Sequence, residues 1–271
     1  MAYQAGTATS YRDLLSKIKS FAVANGWVAV RDTGSSYPRE VTLTSTGVSG
    51  QEDVAVCFKE EETPASDRYN LAIKVSTQTG NIAFDQVTGA GARYLYLWND
   101  PIPYHLFVSA DRIMVVATVS TTAHTAYMGN IKTFCSVGHW FTHAGLFAEG
   151  SDSTWNWGNS SISNFMQINS STRTLLYGAD GNIFTPNALW PLTDSFKDAG
   201  NYSKFNLVEM MIGHTSAGTH YGFFGEFENV KYINGAGVAH LDNIEVNGKN
   251  YLVVQNYSRT GVNDFFAVEK A

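Results

Sequence analysis

The chain has 271 residues, 44% apolar, 13% aromatic and 15% charged, a composition that excludes the disordered regime and can bury a core. Eighteen basic residues against 24 acidic ones leave a formal charge of −6, so the basic footprint of sequence-blind nucleic-acid binding is absent and no nucleic-acid partner is expected. No apolar run reaches the roughly 18 residues of a spanning helix, and the amino terminus lacks a basic start and an apolar stretch; a soluble, unsecreted protein with no membrane partner is expected.

Cys57 and Cys135 are the only two thiols, too few for a disulfide framework or a four-thiolate zinc site, and both are expected to be reduced and buried. The length fits one structural unit over residues 1–271, or two closely packed β-rich halves of approximately 1–137 and 138–271.

The clearest helix lies near the amino terminus. Ser10 and Asp13 stand at capping-box spacing, and Leu14, Leu15, Ile18, Phe21 and Ala22 follow at helical spacing until Gly26 stops the run. This apolar stripe is expected to pack on the body of the fold; a docking helix for a partner is the alternative.

Beyond Gly26 the period becomes two. Val41 and Leu43, then Val54, Val56 and Phe58, then Leu71, Ile73 and Val75 alternate with Thr, Ser, Lys or Cys and predict three strands. Residues 46–50, the charged Lys59-Glu60-Glu61-Glu62 and residues 79–81 read as the turns or loops between them. The runs 94–98, 104–108 and 113–119 continue the pattern, and the last, apolar on both faces, predicts a central, doubly covered strand.

From Gly138 to about Asn201 the chain is rich in Ser, Asn, Gly and Trp and carries little periodicity, which predicts a loop-rich middle. Strand signals return over 207–212, 230–233, 243–246, 251–255 and 265–268. Asn247-Gly248, between two of these runs, is a strong hairpin cue. The fold expected is mainly β, with α+β the alternative: an antiparallel β-sandwich-like body, one N-terminal amphipathic helix and a loop-rich middle.

Enzyme signatures are weak. His139 and His143 have a four-residue separation but no Glu after the first and no further ligands. Asp180-Gly181-Asn182 reads as a turn rather than a calcium loop. Residues 213–218 put Ser216 near His214 without the Gly-x-Ser-x-Gly elbow. Glu60, Glu61 and Glu62 contain the residue type that glycoside hydrolysis uses, yet a consecutive run of charges reads as a solvated loop. No phosphate-cradling loop occurs, and no cofactor or metal is expected. The 6 Trp, 14 Tyr and 16 Phe remain: Trp140, Trp155, Trp157 and Trp190 lie in polar, loop-like surroundings, where a ring anchors its loop, contacts a partner or offers a flat surface to a sugar.

The segment Leu97-Trp98-Asn99-Asp100-Pro101-Ile102-Pro103-Tyr104, running on through Val119 to Ala126-Tyr127-Met128-Gly129-Asn130-Ile131, resembles the most recognisable part of a family of tailed-bacteriophage virion proteins. Gly47-Val48-Ser49-Gly50-Gln51-Glu52-Asp53 is similar to that family's loop before a strand. Gln255-Asn256-Tyr257-Ser258-Arg259-Thr260, followed by Asp264-Phe265-Phe266-Ala267, resembles its ending. These blocks occur in order; residues 140–200 depart most. Each X-Pro step pushes its predecessor toward extended backbone, so Trp98, Pro101, Pro103 and Tyr104 are expected to form a rigid strand-to-strand turn.

The resemblance implies a structural component of the phage tail, baseplate or neck, assembled in the host cytoplasm and located in the virion. It implies no catalytic residue, and the chain is not expected to be an enzyme. Its partners would be other virion proteins, in many copies within a symmetric assembly. The alternative is a carbohydrate-binding module of a phage tail, for which a host-surface glycan would be the ligand.

Overall fold

The computed structural model describes residues 1–50, 53–78, 80–87, 91–134, 142–150, 174–178, 183–184, 188–190, 206–216, 219–257, 261–262 and 264–270. Of residues 142–143, 174–178, 183–184, 188–190, 214–216, 219–222 and 224, only the backbone is described.

The chain opens with strand β1 (Ala2–Ala8), which leads into helix α1 (Tyr11–Ala24). Ser10 caps the helix, its Oγ accepting the Asp13 N–H at 3.3 Å, while the Asp13 carboxylate reaches back to the Thr9 N–H at 2.9 Å. The helix ends in a Schellman arrangement: the Gly26 N–H donates to Val23 O and the Trp27 N–H to Ala22 O, with Gly26 at φ +98°. Tyr11, Leu14, Leu15, Ile18 and Ala22 are buried, so the apolar stripe packs on its own fold.

Strands β2 (Val28–Asp32), β3 (Glu40–Ser45), β4 (Val54–Thr63), β5 (Arg68–Ser76) and β6 (Arg93–Leu95) form an antiparallel sheet in chain order. The alternating residues of β3, β4 and β5 point to one side, into a core shared with α1 and with the next sheet. Cys57 and Ala72, on the opposite side, are covered by Phe84 and Val87 from the segment before β6. Cys57 is buried and not disulfide-bonded; Cys135 lies outside the described residues. Lys59-Glu60-Glu61-Glu62 is not a loop. These residues continue β4 in register with Ala72, Leu71, Asn70 and Tyr69, and their charges find partners within the fold: Arg12 of α1 pairs with Glu60 and Glu62, and Asp85 with Lys59. Of the run 94–98, only the beginning is strand.

The second sheet holds β1, then β7 (Ile102–Val108), β8 (Arg112–Val119), β9 (Thr122–Gly129), β11 (Thr142–Phe147), β12 (Thr174–Gly178) and β13 (Ile183–Phe184), with the short β10 (Lys132–Thr133) paired elsewhere. Its strands come from both sides of position 137. Ile113, Val115, Ala117 and Val119 of β8 face the first core, whereas Met114 and Val116 face a second core on the other side. β8 is thus an interior strand covered on both faces. The middle of the chain, expected to be loops, contributes β11, β12 and β13; in β11 the inward residues are Ala144 and Leu146, with Gly145 between them, too small a contrast to register as alternation.

The third sheet has β14 (Ala188–Trp190), β15 (Leu207–Ser216), β16 (Thr219–Ile233), β17 (Asn243–Val246), β18 (Lys249–Gln255) and β19 (Phe265–Glu269) in the order β14-β15-β16-β19-β18-β17, and β10 joins β16. Phe227, Val230, Leu252, Val254, Phe266 and Val268 close the second core against Phe107, Tyr127 and Phe147 of the central sheet. Asn247 and Gly248 both take positive φ, +53° and +75°, in the β17–β18 hairpin, as the Asn-Gly cue implied. The protein is therefore mainly β, with three antiparallel sheets in sandwich-like layers and a single α-helix among the described residues.

Candidate functional site

Trp140, Trp155 and Trp157 lie outside the described residues, as do His139 and residues 180–182. Trp190 ends β14, an edge strand of the third sheet, paired with Met211. Trp98 is half-buried against the first core, and its indole Nε1 has no hydrogen-bond partner among the described residues. From there, residues 99–101 carry the chain out of the first sheet and into the central one. Pro101 and Pro103 are exposed and Ile102 and Tyr104 buried. Pro103 faces Thr7 of β1, and the pairing of β7 with β8 begins only at Tyr104, so the missing N–H interrupts no β8 rung.

Tyr104 shapes the neighbouring edge. It stands directly opposite Gly6 of β1, and a Cβ built on Gly6 would fall 2.8 Å from the Tyr104 hydroxyl oxygen. The phenol lies across the glycine and restores the contact that a side chain would supply. Its hydroxyl also accepts from Gln4 Nε2 at 3.4 Å. On the other face, the Tyr3 hydroxyl meets His105 Nδ1 at 2.8 Å, the Tyr3 ring packs on Phe107, and Lys270 Nζ lies 4.7 Å from the ring centroid.

Among the described residues, the sheet edges differ sharply. β6, β13, β14 and β17 have three, two, three and four residues, too short to template another strand. β2 carries Arg31 and Asp32 and has an irregular register between Ala29 and Arg31. Short length, charge and bulges are the ordinary protections of an edge. β1 has none of these. Its seven residues, Ala-Tyr-Gln-Ala-Gly-Thr-Ala, include no charge and no proline, its register against β7 is unbroken, and Ala5, Gly6 and Thr7 are exposed.

A polar cleft of about 200 Å³ opens at the far end of β4, lined in part by Tyr37, Glu60, Glu61, Glu62 and Arg68. Alternation along β4 turns Glu60 and Glu62 toward α1. Arg12 sits between the Tyr11 and Tyr37 rings, 5.6 and 5.7 Å from their centroids, and bridges Glu60 at 3.4 Å and Glu62 at 3.5 Å. The Tyr11 hydroxyl donates to Glu62 at 2.6 Å, and the Arg39 N–H to Glu60 at 3.3 Å. Burial pushes the Glu60 carboxyl above its usual range, against the opposing pull of the Arg39 amide and of Arg12. Glu61, on the opposite face, is also raised by burial. With Arg12 bridging the two inward carboxylates, the arrangement ties the first turn of α1 to β4.

Deeper, His124 of β9 and Glu149 form a pair at 2.8 Å, with side chains 0% and 1% exposed. The same Glu149 oxygen accepts the Tyr96 N–H at 3.0 Å, and the His124 ring stands edge-on to Tyr257. One buried carboxylate thereby links the central sheet to the segment following β6. The sequence offered no signal for it, since Glu149 and His124 are isolated residues 25 positions apart. The Glu60–Arg12 contact did leave a signal, the two-residue spacing of Glu60 and Glu62 in phase with Val54, Val56 and Phe58. Among the described residues, no three His, Cys, Asp or Glu side chains converge as a metal site would require.

No protein-family model matches the chain, and comparison with curated proteins returns no match.

Proposed function

We propose that the chain is a structural component of a tailed-bacteriophage particle, in its tail, baseplate or neck, assembled in the host cytoplasm and acting through contacts with other virion proteins rather than through chemistry. The resemblance described above supports this reading. Its strongest segment runs through β7, β8 and β9 at the centre of the fold, and its ending spans the link from β18 to β19. The observation that carries a contact-based role is the open β1 edge. An unguarded, regular strand of this length is a liability in a free monomer and an asset in an assembly. Glycan binding at Trp155 or Trp157 would be a different function, testable by titration with host surface polysaccharide.

Replacing the phage-borne copy by Ala5→Lys, which places a charge on the exposed edge, tests the proposal. Purified particles are expected to contain several-fold less of the chain than particles carrying Glu245→Lys on the already guarded β17 edge. Equal incorporation of the two variants would contradict a role for β1 in assembly.

A further inference from the structure

We infer that the partner of the β1 edge is the β1 edge of a second copy of this chain, paired antiparallel about a two-fold axis through Ala5, so that two central sheets become one. The inference rests on the assembly reading, whose contact surface it assigns to a named partner. An edge strand recognises an added strand through its main chain, and pockets beside the edge select the side chains. The exposed stretch of β1, Ala5-Gly6-Thr7, presents only small, uncharged side chains. Gly6 is roofed by Tyr104 rather than open to a foreign side chain. The strand that suits this edge is flat, small and uncharged, and β1 is itself such a strand.

Pairing about Ala5 places Tyr3 opposite Thr7 and Gln4 opposite Gly6 of the second copy, and the ladder stops short of Ala8, which is buried in the first core. Each bulky residue meets a small one. No charges oppose each other across the seam, which matters because each copy carries a formal charge of −6 and like charges facing across a strand pair are destabilising. Tyr3 is held before any partner arrives, by His105, Phe107 and Lys270, so little side-chain ordering remains to be done on association. The contact is isologous, the commonest way in which identical chains associate.

Sedimentation equilibrium of the purified full-length chain over a concentration series tests this. A reversible dimer is expected for the wild type. Ala5→Lys and Ala5→Glu each put two like charges side by side on the axis and are expected to weaken the dimer about five- to tenfold, whereas an equimolar mixture of the two variants should restore association. Ala5 is exposed, and circular dichroism and thermal melting of each variant establish that the fold is intact. A wild type that stays monomeric, a dimer insensitive to both substitutions, or variants that fail to associate when mixed would each overturn the two-fold pairing. A monomeric wild type that still enters particles would remove the second copy as partner and leave the assembly reading standing. A chain that dimerises as described yet is absent from particles would remove the assembly reading alone.

Discussion

Asp32 ends β2 in contact with two cations, Arg39 Nη2 at 2.8 Å and Lys19 Nζ at 2.7 Å. Hydrogen bonding from Arg39, assisted by Lys19 and the Gly34 N–H and opposed by burial, holds its carboxyl well below the usual carboxylate range. A group whose folded pKa is depressed contributes stability above its unfolded pKa and loses it as pH falls toward the folded value. Asp32→Asn is therefore expected to cost about 2 kcal/mol above roughly pH 4, with the difference from wild type shrinking at lower pH; urea titrations at neutral and acidic pH measure it. Glu149 has no such access to water. Truncating it in Glu149→Ala removes a buried acceptor of the Tyr96 amide and the carboxylate against the His124 ring and is expected to destabilise the fold by about 3 kcal/mol, seen as a lower urea midpoint with an unchanged slope. Neither residue was legible in the sequence as a structural pin, because an isolated carboxylate looks the same whether its partner lies near or far along the chain.

Among the elements, those whose two faces differ in polarity were legible. The amphipathic α1 and the alternating β3, β4 and β5 bury the residues that their periodicity selected. β8 was legible for the opposite reason, being apolar on both faces because both are covered. β1 was not legible, since Ala-Tyr-Gln-Ala-Gly-Thr-Ala shows no alternation and pairs with β7 at a distance of about a hundred residues. The Lys59–Glu62 end of β4 failed similarly: Arg12, which pairs with Glu60 and Glu62, and Asp85, which pairs with Lys59, come from segments distant in sequence. The β1–β7 pair has its own pH signature. Burial, reinforced by the positive charge of Lys270 and by His240, pushes the His105 imidazole down to about 4, so the folded state keeps the neutral ring against Tyr3. The unfolded chain binds a proton first as pH falls from about 6.5. Stability is thus expected to decline between about pH 6.5 and pH 4 by roughly 2 kcal/mol, after discounting for the partial exposure of the ring. His105→Gln should flatten that decline, as thermal melts across the same pH range would show; an unchanged slope would mean that the ring is not the group responsible.

At the scale of the molecule, the central sheet is covered on both faces, by the first sheet with α1 and by the third sheet. Over β7, β8, β9 and β11 both broad surfaces are thus occupied by the fold, and the surface this part of the sheet still offers a partner is its β1 edge. Among the described residues, one edge ends in the two-residue β13, and the other is the regular, uncharged β1. Length and patterning made the layers legible in outline. They did not make the edges legible, because the strand left outermost depends on topology rather than on any local stretch of sequence. Of the candidate contact residues Trp140, Trp155, Trp157 and Trp190, the first three lie outside the described residues and Trp190 pairs with Met211 in the third sheet. Quantitative mass spectrometry of gradient-purified phage particles is the most direct test of a virion role. The chain is expected in the particles at a fixed ratio to the other structural proteins, and its absence from particles while abundant as free protein in infected cells would contradict that role.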